Sequence, residues 1–160
     1  MSGVIGAGLI LAVCVMLGFA AGGMAKLRVR QLEAFCGLVG HIRSEIGYSA
    51  RPLESIFRAY SDETLDECGF LSAARTGGAV TAMTYARARL CLTGEEIDGL
   101  ERFFGTLGRH NLDEELACCE KFQKQLAESA GKAREALPGR LRLCRTLGIL
   151  FGVLAAILML

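Results

Sequence analysis

Every charged side chain of this chain lies between Lys26 and Arg145, and residues 1–25 and 146–160 carry none. Two apolar ends thus bracket a polar middle. Water-exposed ends gain nothing from that composition, whereas ends inserted in a bilayer require it. The run 3–25 is about 35 Å long as a helix, enough to cross a hydrocarbon core with some tilt. The run 146–160 reaches only about 22 Å. It approaches the needed length if Arg142 and Arg145 extend their heads to the interface and Leu143 and Cys144 join the apolar stretch.

Basic residues flank both runs on the inner side. Lys26, Arg28 and Arg30 follow the first; Arg140, Arg142 and Arg145 precede the second. The bias of positive charge toward the cytoplasm predicts a cytoplasmic middle and two outward-facing termini. A cleaved signal peptide would have small residues near 20–23 to cut at, but a basic start is missing and the positive charge follows the apolar run. The expected division is a transmembrane helix at 1–25, a cytoplasmic helical bundle at 26–145, and a second transmembrane helix at 146–160.

Eighteen basic and 17 acidic residues give a net charge of +1. No basic stripe stands out, which argues against nucleic acid as a partner. The seven cysteines are unevenly spaced, with no C-x-x-C pair, and read as small apolar residues in a reducing compartment. Adjacent Cys118 and Cys119 point about 100° apart on a helix, a poor grip for one ion even with His110 nearby. No cofactor or metal site is expected.

The middle reads as helix throughout. Leu32, Phe35, Val39, Ile42 and Ile46 alternate spacings of three and four, a narrow seam of coiled-coil type over 27–48. Residues 49–51 interrupt it, and Pro52 suits the first position of a new helix bearing Leu53, Ile56, Phe57 and Tyr60. "SDETLDE" is an acidic turn or short helix. Residues 70–92 form a weaker helix anchored by Leu71, Met83 and Leu90, with a bend or break at Gly77-Gly78.

Thr93 and Glu96 form a capping box before Ile97, Leu100, Phe104 and Leu107, and Gly108 ends that helix. Asn111 and Glu114 signal the next start. The stripe Leu112, Leu116, Cys119, Phe122 or Gln123, Leu126, Ala130, Ala133 and Leu137 follows. Pro138-Gly139 then breaks or kinks the helix. Acidic residues at helix starts are accounted for by the helix dipole.

No phosphate loop, metalloprotease helix or nucleophile elbow is present, so the chain is not expected to be an enzyme. His41 lies beside the seam and His110 in a turn, neither with the partners a general base needs. In an antiparallel bundle, the turns around 47–53 and 105–113 share the end remote from the membrane. That end, with Glu45, Tyr48, Arg51, Pro52, Leu53, Arg109 and His110, is the expected partner surface. In the apolar runs, Gly18 and Gly22 stand at depths similar to Gly152 and Gly148. Small residues permit close helix approach in lipid, so the two runs are expected to cross there.

Three stretches carry a family resemblance: "LRVRQLEAFCGLVGHIRSEIGYSARPLESIF", "LTGEEIDGLERFFGTLGRHNLDEELACCEKFQKQLAES" and "CRTLGILFGVLAAILML". In this order they resemble the stage III sporulation protein AB family over nearly the whole chain. The family-like positions are Glu45, Tyr48, Pro52 and Leu53, then Leu107 and Gly108, then Leu147, Gly148 and Gly152. Asn111 stands where the family usually has an acidic residue and Glu115 where it has glutamine. Pro138-Gly139 interrupts a connector that is normally continuous.

The resemblance implies a fold like the cytoplasmic domain of the F-type platform of type II secretion. It also implies a place in the complex between mother cell and forespore, in the membrane around the forespore. The implied partners are a stage III sporulation protein AA-like ATPase, other membrane components of that complex and the lipid bilayer. A membrane-tethered adapter recruiting a different soluble protein is the competing expectation.

Overall fold

The computed structural model describes residues 2–49, 51–109 and 111–159, and among these the chain forms six α-helices and one short 3-10 turn. Most side-chain surroundings in 1–21 and 140–160 lie outside what is described. The helices are α1 (Ser2–Ser49), α2 (Leu53–Ala59), α3 (Glu63–Glu67), α4 (Phe70–Ala86), α5 (Gly94–Thr106) and α6 (Leu112–Met159). The 3-10 turn spans Arg87–Arg89. No strand occurs among the described residues, so the fold is all-α.

Two units divide the chain: Met1–Leu27 with Lys132–Leu160, and Arg28–Gly131. In the first, a side chain at Gly22 would fall 2.7 Å from Leu141 Cδ2, so glycine there permits close contact with α6. Among the described residues no helix is long and apolar enough to cross a membrane. The expected spans at 1–25 and 146–160 fall where most side-chain surroundings are not described.

The second unit holds the core. Leu32, Phe35, Val39, Ile42 and Ile46 are all buried, as their spacing predicts. The buried face is wider than a coiled-coil seam, because Gln31, Ala34 and Leu38 are buried too. Several helices surround α1 here, whereas a coiled coil covers only a stripe. Phe35, Phe57, Phe70 and Phe104 meet at its centre, with Phe70 5.2 Å from Phe35 and 5.4 Å from Phe104 between ring centroids. Cys119 is fully buried, and burial, then Cys118 and Glu115, pushes its thiol up to about 11. It stays protonated and packs as an apolar group.

Within this unit α1 and α6 run antiparallel. Gly47 lies beside Leu116, Arg43 pairs with Glu120 at 3.0 Å, and Gly40 lies beside Gln123. The Cys36 thiol also donates to the Gln123 carbonyl at 3.7 Å.

Local rules account for most helix limits. The acidic stretch resolves as α3, with Asp62 accepting from the Leu65 N–H. Gly78 interrupts α4 with φ 80 and ψ 170, a conformation essentially reserved for glycine. Arg75 of α4 donates to the carbonyls of Phe57 (3.3 Å) and Tyr60 (2.9 Å), satisfying the C-terminal end of α2 with a cation.

Three expectations need correction. Pro52 is the N-cap of α2, extended at ψ 140, and Leu53 is the first helical residue. Pro138 does not break α6, which continues through it to Met159. Residues 134–136 and 138–139 are exposed, so the carbonyl that loses its donor can turn to water. Leu112, placed in the apolar stripe, is exposed, because α6 enters its packing one turn later, at Glu115 and Leu116.

The capping box at α5 is present and does more than cap. Glu96 accepts from the Thr93 N–H at 2.8 Å, and Arg28 of α1 donates to both its oxygens at 2.7 and 3.3 Å. Burial alone would raise this carboxyl, but the Arg28 and Thr93 hydrogen bonds hold it below its ordinary value. A lowered folded-state pKa stabilises fully above the unfolded carboxylate pKa of about 4.3 and is lost as pH falls through the folded value. Between about pH 6 and pH 3 the wild type should therefore lose more stability than Glu96→Gln, measured by chemical denaturation at both pH values. Equal losses would mean that this carboxylate is not stabilised by its partners.

Candidate functional site

The turn after α1 and the turn before α6 come together in the Arg28–Gly131 unit. Gly108 has φ +84, and a side chain placed on it would lie 3.4 Å from Leu53 Cδ1. Its N–H donates to Glu115 Oε1, a buried carboxylate in the first turn of α6. A short loop is thus fastened onto the next helix by its backbone, which locates Leu107 and Arg109 beside α2. Glu115 was not singled out as a site residue by sequence reasoning. Its only signal was departure from the family's glutamine at a turn that needs an acceptor.

The expected partner residues largely gather here. Arg51 Nη1 lies 3.5 Å from Glu45 Oε2, linking the end of α1 to the residue before Pro52. Pro52 and Arg109 are exposed and Leu53 is half-buried against Gly108. Tyr48 is 92% exposed, an aromatic side chain with almost none of its surface covered. His110 lies outside the described residues.

A groove of about 510 Å³ opens beside Tyr48. Gly40, Arg43, Ser44, Gly47 and Tyr48 of α1 line one side, and Leu116 and Gln123 of α6 the other. Sequence reasoning missed it, since the glycine spacing on α1 gains meaning only once α6 is in register alongside. Gly37 and Gly40 have different uses: a side chain at 37 would come within 3.2 Å of the Tyr60 hydroxyl, and one at 40 within 2.6 Å of the Gln123 amide.

The glycines of the two apolar runs are a separate matter. Gly22 meets Leu141, seven residues before Gly148. The surroundings of Gly18, Gly148 and Gly152 lie outside the described residues. The His41 ring lies tilted by 36° against Tyr60 at 5.1 Å between centroids, and its buried Nε2 has no hydrogen-bond partner among the described residues. Among the described residues, no group of three or more His, Cys, Asp or Glu could hold a metal ion.

The arrangement offers a surface for another protein: an exposed aromatic ring, a groove and charges of both signs. No curated protein and no solved structure matches the chain. The family described as stage III sporulation protein AB matches residues 3–160, and the chain belongs to that sporulation family.

Proposed function

We propose that this protein is a non-enzymatic, membrane-anchored platform of a sporulation complex, and that its end around Tyr48 receives a cytoplasmic stage III sporulation protein AA-like ATPase. The observation that carries the reading is the exposed Tyr48 ring beside the joined turns of 47–53 and 105–113. Exposed aromatics with nearby arginines are the groups that most often dominate protein interfaces. Family membership supplies the sporulation setting.

The charge-free runs 3–25 and 146–160, each with arginines or lysine on its inner flank, support insertion of both ends with the middle in the cytoplasm. A helical domain like that of the type II secretion F-type platform would then couple the ATPase to other membrane components in the membrane around the forespore.

Affinity capture of the full chain from sporulating cells in mild detergent tests this. The ATPase should co-purify. Reversing Arg51 and Arg109 together to Glu should weaken its capture on the order of tenfold, with helical circular dichroism unchanged. Undiminished capture by the folded double variant would remove this surface. Capture of a different soluble protein instead would favour a tethered adapter.

A further inference from the structure

The groove beside Tyr48 has a one-sided chemistry. Among the described lining residues Arg43 is the charged one; Ser44 and Gln123 add a hydroxyl and an amide, and Leu116 adds an apolar wall. Arg43 does contact a carboxylate, Glu120, at 3.0 Å, but Glu120 is shared with Lys124 at 2.8 Å. Lys124, then Arg43, holds the Glu120 carboxyl below its usual range. Two cations share this one anion, so Glu120 is not devoted to Arg43 alone. Arg43 remains partly exposed and has guanidinium donors beyond the one directed at Glu120.

At Gly40 the Gln123 amide stands where a side chain would be, so glycine there seats Gln123 in the groove wall, and at Gly47 a side chain would meet Leu116 at 3.6 Å. Hydrogen-bond donors on the walls, a partly exposed guanidinium whose carboxylate is shared with Lys124, and an apolar patch together fit a side chain with an aliphatic stem and an acidic head. Bidentate guanidinium–carboxylate pairing adds geometric selectivity to the charge match.

We infer that the groove between α1 and α6 is the anchor pocket for an acidic segment of the docking partner, with a glutamate or aspartate of that segment seated on Arg43, Ser44 and Gln123. The partner's identity rests on the reading above; the chemistry of the segment does not.

Tyr48→p-benzoylphenylalanine in the full chain, an aromatic replaced by a photoreactive aromatic, tests it in sporulating cells. Illumination should yield an adduct whose attached peptide carries Asp or Glu within one helical turn of the linked residue. Arg43→Glu in the same chain should reduce that adduct at least tenfold, and reversing the mapped carboxylate to Arg should restore it. Gly47→Leu, which extends a side chain into the groove from an exposed helical position, should reduce it similarly. Gly47→Ala should not, because its methyl would sit 3.6 Å from Leu116, an ordinary contact.

An adduct with a segment lacking a carboxylate, with a second copy of this chain, or with nothing overturns the inference. So does an adduct indifferent to both Arg43→Glu and Gly47→Leu. An acidic segment from a protein other than the ATPase upholds the groove and removes the ATPase reading. An adduct with the ATPase that ignores both substitutions does the reverse.

Discussion

Phe70→Ala should destabilise the Arg28–Gly131 unit by about 3–5 kcal/mol. Phe70 is fully buried, and its ring lies within 6.4 Å of Phe35, Phe57 and Phe104 between centroids. Truncation removes the transfer energy of the ring, leaves a void among side chains that cannot collapse, and deletes three aromatic contacts. Domains of this size are stable by only about 5–15 kcal/mol in total, so the variant should melt far below the wild type. Urea denaturation of the full chain in mild detergent measures the difference. Phe70→Leu, which keeps most of the volume, should cost clearly less. A loss below about 1 kcal/mol for the alanine variant would show that the aromatic cluster is not the centre of the core.

Gln31→Leu should cost about 1–3 kcal/mol despite replacing a polar core residue with an apolar one of similar size. Gln31 is 1% exposed, accepts from the Cys91 N–H at 2.7 Å and donates to the Arg89 carbonyl at 3.3 Å. Its amide does for the segment between the 3-10 turn and α5 what a neighbouring strand would do. Leucine fills the space but leaves both backbone groups without their partner, and the penalty of an unmade bond exceeds the gain from added apolar surface. Amide hydrogen exchange at Cys91 should accelerate more than at core positions of α1. Uniform acceleration across the unit would assign the effect to packing alone.

Patterns confined to one helix were legible in the sequence. The seam from Leu32 to Ile46, the Thr93–Glu96 capping box, the bend at Gly77-Gly78 and the stop at Gly108 each depend on neighbours within a few residues. What failed depends on distant partners. Gln31 stands outside the apolar seam, and its role emerges only when α1 is enclosed and residues 89–91 lie beside it. Arg28 looks like one more flanking cation until Glu96 receives it. Pro138-Gly139 reads as a break or a kink, and the break does not occur because an exposed helix can absorb one lost hydrogen bond. The meeting of the two turns followed from helix order, whereas the groove needed the register of α1 on α6, which no local spacing encodes.

The pairing of α1 with late parts of the chain also bears on the order of synthesis. Arg28 meets Glu96, 68 residues later; Arg43 meets Glu120, 77 later; Cys36 meets Gln123, 87 later. At about 5–20 residues per second on a ribosome, the face of α1 that meets α6 waits roughly 4–17 seconds for it to follow. Helical proteins with mostly local contacts fold far faster than that, whereas here closing long loops must precede the stabilising contacts. The nascent α1 is thus an incompletely covered helix for seconds, with aggregation as the competing fate and chaperone binding as a means of protection.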